Sequence, residues 1–230
     1  MTSFRDRVEG ISDATAAEVA RRLESAEAPG SVARGLGLDA AGLVAALARV
    51  ALGPEGSEGP ALVRDDPRRP RLAPALAEPR LAGLVGASAA GRPARLALSA
   101  GLLQAFDSWD ASHAAAQEAD DLGEPGTAAY WHMIAHRREP DPGNALYWAR
   151  RVGRHPIARP LADAARPLLG AHADPDLAAR LLAGDSWSPP AMIDLASRAR
   201  PGTPLAALAR RLQRLEMLTL LGQTLAALPG

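Results

Sequence analysis

Residues 39–53 read DAAGLVAALARVALG, and this stretch decides the fold class. Asp39 can accept a hydrogen bond from a free N–H of a first helical turn. Gly53 can end the helix in a conformation that other residues avoid. Between them Ala and Leu, strong helix formers, dominate. The same grammar recurs along the chain. Ser12-Asp13 precedes TAAEVARRLESA, expected as a helix ending near Gly30. Asp141-Pro142, Asp174-Pro175, Ser188-Pro189 and Thr203-Pro204 each set a capping side chain before a proline. Proline suits the first helical position, where its missing N–H costs nothing. Gly153, Gly170 and Gly184 stand where helices should stop. Strand material is scarce, since Val and Ile together number twelve and the aromatics eight. The reading is all-α, a helical bundle with an additional N-terminal helical segment.

Composition removes several chemistries. The chain has 230 residues, with 26 basic and 26 acidic side chains and zero net charge. Every basic residue is Arg, so no lysine Schiff base can form. Zero Cys excludes disulfides, thiolate nucleophiles, iron–sulfur clusters and cysteine zinc sites. Any metal must be held by His, Asp or Glu. The neutral total argues against a general nucleic-acid binder. The N-terminal residues lack the apolar core of a signal peptide. Uncharged runs such as 81–91 and 217–230 are too short to span a bilayer. These features, with the Ala, Arg, Gly and Pro bias, lead to an expected cytoplasmic bacterial protein with no membrane contact.

Three regions are expected. Residues 1–52 form an N-terminal helical segment. Residues 53–80, rich in Pro, Gly and Arg, read as a linker or loop. Residues 81–230 form the main helical domain. In the last helix Leu205, Leu208, Leu212 and Leu215 make a stripe. It reads as a core face, or as a homodimer seam that matches coiled-coil spacing for about two heptads.

Chemistry concentrates in residues 99–160. Six of the eight aromatics lie between Phe106 and Trp148, and four of the five His between His113 and His155. From Leu96 to His136 there are six acids and no Arg; from Arg137 to Arg159 there are six Arg and two acids. Antiparallel helices would set an acidic half beside a basic one. Residues 99–121 read as one long helix carrying Asp107, Asp110 and His113, with Phe106 and Trp109 toward a packing face. The following helix carries His132 and His136, four apart, then Glu139.

Two His at this spacing rise from adjacent turns and can share one ion. A third ligand, His113 or Asp110, would leave an open position for Zn, Fe or Mn chemistry. Asp107, Asp110 or Glu139 could then handle a proton as the catalytic carboxylate. The other reading needs no cofactor: the imidazoles pair with acids of the neighbouring helix as a polar network, or one acts as a metal-free general base. On the next short helix Asn144, Tyr147, Trp148 and Arg151 share a stripe, and Arg154 follows. Arg supplies charge, a ring supplies stacking and Asn supplies hydrogen bonds, a set that suits a small anionic or planar ligand. In the alternative the rings are core and the arginines pair with acids.

The run Tyr130 to His132, His136 to Asp141, Asn144-Ala145, Tyr147-Trp148, Arg150 to Gly153 and His155-Pro156 resembles that of a family of uncharacterised bacterial proteins. The upstream string Ser108 to His113 resembles it too. About 50 residues are covered, and the resemblance implies no activity.

Several motifs fail. Gly35-Leu-Gly37 lacks the third glycine of a dinucleotide fingerprint, and no Walker loop exists without Lys. Gly184 to Ser188 is no nucleophile elbow. The expected function is therefore a small-molecule enzyme or binding protein with a His/Asp/Arg pocket. The alternative is a non-catalytic interaction or scaffolding protein whose cluster is a structural network.

Overall fold

The proline-capped starts announced by the sequence are all used. The computed structural model describes residues 3–88, 91–124, 126–172 and 174–228. Among them lie fourteen α-helices and no strand. Asp141, Asp174, Ser188 and Thr203 each accept a backbone N–H of the helix they open. Ser12 and Asp39 do the same for α2 (Asp13–Glu24) and α4 (Ala40–Leu52). Helix α1 covers Phe4–Gly10 and α3 covers Pro29–Gly35. The helix expected to reach Gly30 stops at Glu24, because Pro29 begins a new helix there.

Residues 53–69 contain no helix and are bound to what surrounds them. Arg64 N–H donates to the Arg138 carbonyl at 2.6 Å, and Arg68 N–H to that of Phe106 at 2.9 Å. Arg69 forks onto Glu24, and Gln213 donates to the Pro60 and Ala61 carbonyls. A 3₁₀ turn (Pro70–Leu72) leads into α5 (Ala73–Leu76) and α6 (Glu78–Val85).

The long helix expected over 99–121 is two helices, α7 (Arg92–Ala105) and α8 (Trp109–Asp121). The break is a Schellman-type end built on Asp107, whose φ is +60°. Asp107 N–H reaches the Gln104 carbonyl, and Ser108 N–H reaches that of Leu103. This turn usually selects Gly, with Asn or Asp tolerated. Here Arg68 and Arg138 both hold the Asp107 carboxylate.

Helix α9 (Thr127–Arg138) is buried along its whole length. Glu124, just upstream, accepts the Ala128 N–H at 2.6 Å and closes its start. Two buried ion pairs fix its other end: Arg138 with Asp107, and Arg137 with Glu216 at 2.6 Å. Burial pulls the Arg138 guanidinium below its ordinary range, and Asp107 opposes that pull. Helices α10 (Pro142–Val152), α11 (Ala158–His172), α12 (Pro175–Leu181) and α13 (Pro189–Arg198) follow. Gly170, an expected stop, lies inside α11.

The last helix, α14 (Pro204–Ala226), runs through the core. Its Leu208, Leu212 and Leu215 are buried in the chain's own interior and Leu205 packs against it, so the stripe is a core face rather than an exposed seam. One apolar cluster runs from Val8 to Leu221. No single helix among the described residues is long and apolar enough to cross a membrane.

A candidate three-histidine metal centre

Helix α8 supplies His113, and adjacent turns of α9 supply His132 and His136. The three rings converge, with centroids 4.3 to 5.0 Å apart. Each offers a ring nitrogen, and these nitrogens lie within 4.8 Å of one another. The Nε2 atoms of His113 and His132 are 2.8 Å apart. Nitrogens bound to one ion at about 2.0–2.1 Å in tetrahedral geometry lie roughly 3.3 Å apart, so a small adjustment would suffice. The group could hold a metal ion. His132 and His136 are buried and His113 is half-buried, so solvent reaches the cluster from the α8 side.

The protonation pattern suits ligation. Burial, then the neighbouring imidazoles, lower the His132 ring to about 3. Burial, then His136, lower His113. Both rings are therefore neutral near pH 7, the form that binds metal. His136 Nδ1 lies 2.9 Å from a Glu139 carboxylate oxygen. A proton on Nδ1 donates to it and leaves Nε2 as the lone-pair nitrogen, the usual carboxylate–histidine arrangement behind a metal. The amide nitrogen of Asn144 sits 3.1 Å from that Nε2, so Asn144 and an ion would compete for one lone pair. His132 Nδ1 is buried with no hydrogen-bond partner among the described residues. Without an ion the facing Nε2 atoms of His113 and His132 must share one proton between them.

Two tryptophans back the cluster. Trp109 stacks on His113 with centroids 4.9 Å apart, and Trp148 lies on His132 at 3.8 Å. Trp109 also donates its indole N–H to the Ala135 carbonyl at 2.9 Å, tying α8 to α9. An arginine caps each indole: Arg64 lies 4.4 Å over Trp109 and Arg151 5.2 Å over Trp148. The order Arg64, Trp109, His113, His132, Trp148, Arg151 forms a continuous stack-and-contact series across three helices and the 53–69 loop.

The other residues singled out in the sequence fall into four places. Glu139, Asn144, Trp148 and Arg151 join the cluster or its backing. Arg151 also forks onto Asp120 of α8, which is where the expected acid-to-base pairing of neighbouring helices occurs. Tyr147 meets the edge of Trp148 but is 47% exposed. Asp110 points to solvent, its side chain 97% exposed, with Arg64 at 3.9 Å. Asp107 does not share a helical face with it: the chain break removes Asp107 from α8, and two arginines bind its buried carboxylate. Arg154 lies beyond the end of α10, at a separate cavity. His136, Glu139 and Asp141 form a second compact set of possible ligands.

Arg64, which by composition belongs to a solvated basic loop, lies over Trp109, and Trp109 itself faces the histidines. Arg64 sat in an Arg/Asp-rich loop that gave no sign of a tertiary partner. Trp109 was expected to pack away from the histidines, because the helix was read as unbroken through Asp107. Of the first two arginines of the basic half, Arg138 pairs with Asp107 of the acidic half, and Arg137 pairs outside it, with Glu216 of α14. No protein-family model, curated protein or solved structure matches the chain.

Proposed function

We propose that the chain is a small-molecule enzyme or binding protein that depends on one divalent ion held by His113, His132 and His136. The observation that carries this reading is the convergence of three imidazoles, two of them neutral and with Nε2 atoms 2.8 Å apart. Three protein ligands leave a position for water or substrate. The ion would polarise a substrate oxygen or make a bound water nucleophilic. Zn, Fe or Mn suits the nitrogen-rich set. Glu139 orients His136. Arg64, on the outer face of Trp109, supplies positive charge for an anionic or planar substrate, while Arg151, on the outer face of Trp148, is held by Asp120 and supports the stack. Asp110 is the exposed carboxylate on the same helix as His113 and the candidate for moving a proton. Asp107 takes no such role here, being bound by Arg68 and Arg138.

The competing reading makes the cluster a structural network. The direct His113–His132 contact favours it. Against it stands the independent fixing of α9: two buried ion pairs, the Glu124 cap and the Trp109 bond already set its register.

Metal analysis of untagged protein, as purified and after reconstitution with Zn²⁺, Mn²⁺ or Fe²⁺, separates the two. The expected result is one ion per chain, lost in His113→Ala and His136→Ala while circular dichroism stays helical. Absence of stoichiometric metal after reconstitution, or equal metal in both variants, would sink the proposal. Unfolding of both variants together with a metal-free wild type would favour the network.

A further inference from the structure

Tyr130 and His132 stand two residues apart on α9, and so about 200° apart around it. The histidine cluster lies on one side. On the other, Tyr130 lines a cavity of about 310 Å³ beside the α10–α11 turn and the loop before α13. This is the low end of the size of small-molecule pockets.

The cavity's charge is one-sided. Arg154 and Arg159 are both in its wall, and the lining contains no carboxylate. Arginine is otherwise mostly paired in this chain: nearby Arg151 is held by Asp120, and Arg166 by Asp185. Arg154 and Arg159 make no salt bridge and no side-chain hydrogen bond to any described residue. The first turns of α11 and α13 reach the same space through Ala158 and Pro189, bringing two positive dipole ends. His155, 92% buried by its 8% exposure, contributes a polar ring there. Burial alone lowers that ring to about 4, so near pH 7 it is a neutral hydrogen-bonding group. Its present contacts, to Thr127 Oγ1 and Ile157 N–H, are both long at 3.4 Å.

We infer that this cavity is a second ligand site, taking the phosphate group of a small organic molecule between Arg154 and Arg159 with His155 at its floor. Two guanidiniums match a doubly charged tetrahedral oxyanion better than a monoanionic carboxylate. The buried rings of Tyr130 and Trp187 bound the remaining volume and suit the organic part. The site is independent of the three-histidine proposal, because it shares no residue with that cluster.

The test is calorimetric titration of inorganic phosphate into the full chain carrying His113→Ala, repeated on chelator-treated wild type. Both keep a metal-bound anion out of the reading. Saturable one-to-one binding is expected, with acetate at least tenfold weaker. Arg154→Gln/Arg159→Gln should weaken phosphate at least tenfold, and Arg200→Gln, at another surface arginine that makes no salt bridge to a described residue, should leave it unchanged. Should the double variant fail to fold, each single variant is expected to weaken binding several-fold. Absence of saturable binding in either preparation, equal binding in the cavity variants, or an equal loss in Arg200→Gln overturns the inference.

Discussion

Trp148 lies flat on His132, their ring centroids 3.8 Å apart and their planes 17° from parallel. The indole thus fixes the plane in which the imidazole can present its nitrogens. Trp148→Ala should weaken metal binding roughly 10–100-fold, as loss of a supporting contact behind a ligand does. It should also cost about 3–5 kcal/mol of stability, as a buried Trp truncation does. Trp148→Phe should retain most of the metal affinity. Competitive metal titration alongside urea unfolding reads both effects; equal affinity in the Ala variant would show that the stack positions nothing.

The Asp107 carboxylate neutralises a guanidinium with no exposure of its own. Asp107→Asn keeps a residue that tolerates positive φ and removes only the charge. It leaves Arg138 buried without a counter-ion, and a loss of about 3–5 kcal/mol is expected in urea unfolding. Coupling with Arg138→Met should recover a large part of that loss. A single variant as stable as wild type would contradict the pairing.

Acid should destabilise the chain in a defined window. His132 and His155 have folded-state values of about 3 and about 4, below the ordinary 6.5. Between those values and 6.5 the unfolded chain binds more protons, so stability rises with pH. It is fully present above about 6.5 and is lost as pH falls toward 4 and then 3. Unfolding measured with chelator at pH 7.5, 6 and 5 should show a steady decline that is shallower in His132→Gln. A flat profile over that range would be inconsistent with buried neutral rings.

Two glycines should respond oppositely to alanine. A Cβ on Gly101 would lie 2.6 Å from Trp131 Cε2 and Cζ2, and Trp131 is fully buried. Gly101→Ala should cost roughly 1–3 kcal/mol by overpacking. Gly170, within α11, has nothing within 4 Å of that position. Gly170→Ala should gain about 0.4–1 kcal/mol by restricting the unfolded chain. Thermal melts of the pair would expose an error in either assignment.

The helices were legible because their signals are local. A cap and the N–H it binds are three residues apart, as with Asp141 and Asn144 or Thr203 and Ala206. The His132–His136 spacing is local in the same way, and it located two of the three candidate ligands. What stayed hidden depends on distant partners. Asp107 meets Arg138 across 31 positions, and no propensity distinguishes it from a mid-helix Asp. Its left-handed turn divides the expected long helix and sends Trp109 to the histidines. Arg64 gave no signal because its indole partner lies 45 positions away in the chain, in a helix whose start was hidden by the same turn.

The 53–69 segment carries one more consequence. Its composition is that of a spacer, yet the Arg64 amide satisfies the last carbonyl of α9 and the Arg68 amide one at the end of α7. Such a passage cannot be lengthened, shortened or exchanged for a Gly/Ser tether without uncovering both helix ends and removing the cation that rests on Trp109. Engineers seeking an insertion point, and proteases seeking a nick, would meet a fastened seam where the residue content advertises slack.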